Sequence, residues 1–123
     1  MADKHANAFV GKYVLTRLNG KEGEKNQWDA PTLQFESEGD KLRVFANVAN
    51  SMNGLLSYEN GKLTGMLMST RKMGPPFLMD VERALFQGFE GGMHVTREGG
   101  ALKLSHGNDT LEFTVDESAL LRR

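Results

Sequence analysis

The sequence predicts an α+β domain, a curved, mainly antiparallel β half-barrel of about seven or eight strands with one main α-helix packed across it. Three observations carry that prediction. Short runs of alternating apolar and polar residues recur along most of the chain, separated by Gly, Asn and Asp. A single segment, from Pro75 to Gly92, shows apolar residues at convincing helical spacing. The length, 123 residues, suits one domain around one core.

The elements follow in order. Lys12 to Leu18 alternates and is closed by Asn19-Gly20, after which a polar loop carrying the lone Trp28 runs to Ala30. Thr32 to Glu36 puts Leu33 and Phe35 on one face, and Leu42, Val44, Ala46 and Val48 do the same in the next run. The turn at Glu38-Gly39-Asp40 makes the two a hairpin, with Phe45 on the opposite face. Asn50 to Gly54 breaks the alternation and is expected to make a single helical turn before a short strand, Leu55 to Tyr58, and a turn at Asn60-Gly61. Leu63 to Met68 is apolar on both faces, Leu63 and Leu67 on one and Met66 and Met68 on the other. A strand covered on both sides has that signature.

In the helix, Pro76 suits the first position, where its missing N–H costs nothing. Leu78, Val81, Leu85 and Phe89 form the apolar stripe, widened by Phe77, Ala84 and Phe86. Asp80 and Glu82 lie early, where the helix dipole favours negative charge, and Gly88 and Gly91-Gly92 offer the stop. The last third is a meander. Pairing Glu98 with Ala101 across Gly99-Gly100 puts Met93, Val95, Leu102 and Leu104 on the buried face, and His94, Thr96, Lys103 and Ser105 on the other. Leu111, Phe113 and Val115 continue the buried set after a turn at Gly107-Asn108-Asp109. The domain is expected to span 9–116, between a flexible tail at 1–8 and a C-terminal tail at 117–123.

Composition narrows the function classes. With 15 Lys and Arg against 16 Asp and Glu, the net charge of −1 gives no global attraction to nucleic acid. The absence of Cys removes disulfides, thiol catalysis and thiolate metal sites. No apolar run approaches the roughly 20 residues that span a bilayer, and no signal-like segment opens the chain. The expectation is a cytoplasmic, monomeric protein with no membrane span, peripheral association staying open. Of the three His, His5 falls in the tail, and the predicted register separates His94 from His106. No triad or ligand set converges, so no catalytic residue, no metal and no cofactor are expected. The Gly88 to Gly92 stretch follows a helix rather than opening one, and does not suit phosphate. An enzyme using Glu82 or Glu59 is the competing class, and would need Glu82 in a cleft with perturbed acidity.

The methionines are the residues most suggestive of binding. Met66, Met68 and Met73, with Phe77, bracket the two-faced strand and the entry to the helix. Met is flexible and polarizable, and adaptable binding surfaces over-use it. These four residues are therefore candidate walls of an apolar groove for a lipid tail or a partner helix, against the alternative that they fill gaps beneath the helix. Trp28 is a candidate interface anchor, or else a plug folded over one barrel end. Thr70, Arg71 and Lys72 form a basic elbow before the helix.

The ordered landmarks resemble the META domain family, also called HslJ-like. Gly11-Lys12-Tyr13-Val14-Leu15 and Pro31-Thr32-Leu33-Gln34-Phe35 look like its first two strands. Asn50-Ser51-Met52-Asn53-Gly54 is similar to its Asn-x-x-x-Gly turn, Thr70-Arg71-Lys72-Met73 to its Thr-x-x-Met segment, and Glu82 to the acidic position in its helix. Gly99-Gly100-Ala101-Leu102-Lys103-Leu104 and Leu111-Glu112-Phe113 resemble its closing strands. Ala49 and Gly74 stand where bacterial members often have Cys, and Tyr13 where they usually have Trp. The cysteine-free chain is most similar to the stand-alone META proteins of trypanosomatid parasites, which are linked with infectivity and stress tolerance. The resemblance implies a non-enzymatic protein associated with virulence or stress response that acts by binding a protein partner. A binder or carrier of a small hydrophobic ligand or lipid, in a groove between helix and sheet, is the alternative. By fold analogy alone, the family also resembles lipid-binding pilot proteins of bacterial secretins.

Overall fold

Alternation is realised as strands wherever one face can be buried. The computed structural model describes residues 7–22 and 30–116. Nine strands follow one another: β1 (Gly11–Leu18), β2 (Thr32–Glu38), β3 (Lys41–Asn47), β4 (Ser51–Glu59), β5 (Lys62–Thr64), β6 (Leu67–Ser69), β7 (Met93–Glu98), β8 (Ala101–His106) and β9 (Asp109–Val115). The helix α1 (Pro76–Gly91) lies between β6 and β7. Trp28, His5 and the C-terminal tail at 117–123 lie outside the described residues.

The expected half-barrel is corrected to a closed barrel. Starting at β3, the ring runs β2, β1, β9, β8, β7, β5 and β4, and β4 pairs back onto β3. Those eight strands close, and β6 is a ninth beside β4. The correction has a local origin. Ser51 to Gly54 is not a helical turn but the first half of β4, paired with β3 from Asn47↔Ser51 to Leu42↔Leu56. That half-strand supplies four of the six β3–β4 pairs that close the ring. An eight-stranded barrel has an interior that side chains fill. Tyr13, Phe35, Leu56, Leu63, Phe89, Met93 and Leu104 are among those completely buried in it.

The strand read as two-faced is also corrected. It is interrupted at Gly65 and Met66, giving β5 and β6, and its second face is open to solvent, with Met66 75% and Met68 72% exposed. One register nevertheless spans both pieces, from Glu59↔Lys62 and Ser57↔Thr64 to Gly54↔Leu67 and Met52↔Ser69. The hairpin begins at Asn60-Gly61, where φ of 55° and 79° suits the twist of a two-residue turn. The meander keeps the predicted register, with Glu98↔Ala101, Val95↔Leu104 and His94↔Ser105.

The helix α1 is bounded as expected, by Pro75 before it and by Gly92 at φ 105° after it. No acid lies in its first turn. Asp80 pairs instead with Arg83 at 3.0 Å, and Glu82 turns inward. Gly88 sits inside the helix because a Cβ there would collide with the Met93 side chain. Leu78, Val81, Ala84, Leu85 and Phe89 are buried, and the helix leans on β5, β6, β7 and β8.

At the N-terminal end, the Tyr13 hydroxyl donates to the Phe9 carbonyl at 2.7 Å and accepts from Arg97 Nη1 at 3.0 Å. Burial pushes the Tyr13 phenol above its ordinary pKa of 10.0, and the neighbouring Arg97 charge and hydrogen bond offset part of that rise. In the unfolded chain the phenol ionises first, so Tyr13 contributes stability that is complete below about pH 10 and lost as pH rises through the folded value. Thermal melts across that alkaline range should show a decline that Tyr13→Phe flattens. The same variant should cost about 1–2 kcal/mol at neutral pH, since the Phe9 carbonyl and Arg97 lose a partner.

Candidate functional site

The interruption of the β5–β6 strand creates the site. Beyond Gly65 the chain no longer runs beside β7, which pairs with β5 only at Lys62 and Leu63. The helix takes over, and the Gly65 N–H donates at 2.9 Å to the Phe89 carbonyl, one of the last four carbonyls of α1 that have no partner within the helix. Past that point β6 and α1 separate. Between them lies an open cleft of about 660 Å³ lined by Leu67, Met68, Ser69, Thr70, Arg71, Lys72 and Met73 on one side and Phe86 and Glu82 on the other, with Asn50 below.

The floor is a polar cluster built around Asn50. Its main-chain N–H donates to Glu82 Oε2 at 2.7 Å, and its Nδ2 donates to Glu82 Oε1 and Oε2 at 2.9 and 3.0 Å and to the Lys72 carbonyl at 3.0 Å. Its Oδ1 accepts from Thr70 Oγ1 at 2.9 Å and from the Lys72 N–H at 2.6 Å. Asn50 and Glu82 are only 5% and 8% exposed, yet every one of their polar side-chain atoms is engaged. One amide thus ties the start of β4, the elbow at 70–72 and the middle of α1 together. The backbone of the basic elbow is pinned, while the Arg71 and Lys72 side chains project into solvent.

The predicted groove residues divide between two places. Met68 and Met73 line the cleft, and Met73 is 89% exposed. Met66 projects from the outer barrel face and does not line it, whereas Phe77 packs partly buried against the core. Leu67 and Phe86, which the sequence reading did not single out as groove residues, complete the apolar lining. Elsewhere, Phe45 and Leu55 are partly exposed on the same outer sheet face as Met66 and Met68. His94 is exposed, and His106 Nδ1 lies 3.2 Å from the Gly92 carbonyl. Among the described residues, no three His, Asp or Glu side chains gather as a metal would require.

Three short patterns, Asn50 to Gly54, Thr70 to Met73 and Glu82, are distant in sequence and meet here. A family model for the META domain matches residues 6–118. The chain belongs to the META domain family. One solved structure, described as "NMR structure of the protein", is similar to it, with a TM-score of 0.74 and 25% identity over 87% of this chain and 90% of the other. A search of the curated proteins finds no match. Within this META domain the signature residues form the cleft floor. Gly54 belongs to the same design, since a Cβ there would strike the Met66 carbonyl oxygen. Ala49 and Gly74 abut: a Cβ on Gly74 would come 2.6 Å from that of Ala49. The two positions where bacterial members often have Cys are therefore neighbours in space. Among the described residues, no helix is long and apolar enough to cross a membrane.

Proposed function

We propose that this META domain is a non-catalytic, cytoplasmic, monomeric protein that acts by binding, through the cleft between β6 and α1. The observation that carries the proposal is the pairing of exposed, adaptable Met68 and Met73 side chains with a floor that the Asn50 hydrogen bonds tie together from three directions. Support for a non-catalytic role comes from Glu82. The acid best placed to act in the cleft is buried and accepts from Asn50 with both oxygens, so its carboxylate is engaged in holding the floor. A role of such a binder in stress tolerance or virulence is the reading that the resemblance to parasite META proteins supports. A small hydrophobic ligand is the second reading, favoured by the apolar lining of Leu67, Met68, Met73 and Phe86 and a volume within the range of ligand clefts.

Methyl-labelled methionine makes the test direct. Titration with sodium octanoate as an apolar probe should shift the Met68 and Met73 methyl resonances and leave buried Met52 and Met93 in place. Converting Met68 and Met73 to Lys should abolish the octanoate-induced shifts of the Leu67 and Ser69 amides, which line the same cleft, with little change in Tm, because both Met side chains are exposed. Shifts confined to Met52 and Met93, or none at all, would overturn the proposal.

A further inference from the structure

We propose that the outer edge of β6 receives an extended, acidic peptide segment by strand addition. This rests on the binding role of the cleft and names the class of partner. The hydrogen-bond directions of the β5–β6 strand carry it. Gly61 offers its carbonyl to the Val95 N–H at 3.1 Å, and Gly65 gives its N–H to the Phe89 carbonyl, both on the side away from β4. Thr70 gives its N–H to the Ser51 carbonyl at 3.2 Å, on the β4 side, as the Asn53↔Met68 pairing requires of Met68. Main-chain groups alternate between sides along a strand, so the N–H and C=O groups of Leu67 and Ser69 point away from β4 and into the cleft. Among the described residues no strand covers them: β6 ends the sheet order, and α1 reaches back only to Gly65.

An uncovered strand edge is a template for another strand. A strand seated about 4.8 Å from β6 would lie in the cleft, its alternate side chains directed toward Leu67 and Phe86 or toward Met68 and Met73. Charge decides its character. Arg71 and Lys72 are exposed at the mouth, and neither joins an ion pair among the described residues. The one acid on the cleft wall, Glu82, is buried and committed to Asn50. A segment alternating apolar and acidic side chains satisfies the main-chain groups, the apolar walls and the basic mouth together.

The test uses an acetylated, amidated heptapeptide of alternating Val and Glu, titrated into the full chain with amide and methionine-methyl resonances followed by NMR. The Leu67 and Ser69 amide signals should move and their exchange with solvent should slow. The Val/Lys counterpart should bind about tenfold more weakly, and the charge-reversed protein Arg71→Glu/Lys72→Glu should invert that preference without loss of Tm. A Val/Glu peptide N-methylated at every residue should not bind, because neither of its edges keeps a main-chain donor. Equal binding by the N-methylated peptide, or unmoved Leu67 and Ser69 amides, overturns strand addition. So do amide shifts produced by phosphatidylglycerol vesicles and not by the peptide, which would make the occupant a lipid. Shifts that grow with protein concentration alone would make it a second copy and overturn the proposal equally. Octanoate shifts at Met68 and Met73 without any response to the peptide would reject the strand while sparing the binding role of the cleft.

Discussion

Replacing Asn50 by Asp is expected to cost about 3–5 kcal/mol, the range for leaving a buried charge without its partner, and so to remove a large share of the roughly 5–15 kcal/mol by which a domain is ordinarily stable. The side chain now gives a donor to each Glu82 oxygen, and a carboxylate in its place would face a second carboxylate at hydrogen-bond distance in a buried site. The Lys72 carbonyl would lose its donor as well. Asn50→Ala is milder, about 2–3 kcal/mol, because the main-chain N–H of residue 50 still reaches Glu82. Combining Asn50→Asp with Glu82→Gln restores a donor between the two elements and should recover part of the loss. Urea unfolding followed by circular dichroism measures all three variants. An Asn50→Asp protein as stable as the parent would remove the cluster's architectural role.

Gly65→Ala is expected to cost about 2–4 kcal/mol, lowering Tm by roughly 10 °C. The new methyl would strike the Leu55 carbonyl oxygen, a backbone atom that cannot rotate aside, and would sit 2.9 Å from Leu56 Cδ2. Any retreat of the strand also stretches the bond from the Gly65 N–H to the Phe89 carbonyl, which holds α1 against the barrel. Gly54→Ala should behave alike, since its methyl would strike the Met66 carbonyl oxygen. Gly100→Ala serves as the control: its nearest neighbour, Val115 Cγ2, is 3.9 Å away, so it should melt within a degree or two of the parent. Equal melting of all three proteins would mean that the approach of β4 and β6 yields easily.

Much of the fold was legible because one buried face imposes strict alternation. Leu42, Val44 and Ala46 on β3, and Val95 against Leu104 across β7 and β8, are where the period of two placed them. Residues 51–54 were not legible as strand. Met52 is the one large apolar residue among Ser, Asn and Gly, and the segment is extended because β3 and β6 pair with it on either side. Along β6 the alternation separated Met66 and Met68 correctly from Leu67, but it carries no information on whether the methionine face is covered. Glu82 read as a dipole-stabilising acid because its sequence neighbours say nothing of Asn50, 32 residues away.

What the sequence by itself determined is most of the elements, the apolar face of most strands, the boundaries of α1 and a charge balance that gives no global pull toward nucleic acid. What only the tertiary structure decided is the closure of the barrel, the three-way clasp of Asn50 and the uncovered edge of β6. Periodicity and turn chemistry are properties of residues adjacent in the chain, whereas closure, buried polar satisfaction and free edges depend on which distant backbone groups find one another. In this META domain the residues that decide those distant meetings, Asn50, Gly54, Gly65 and Glu82, are also the ones that shape the cleft.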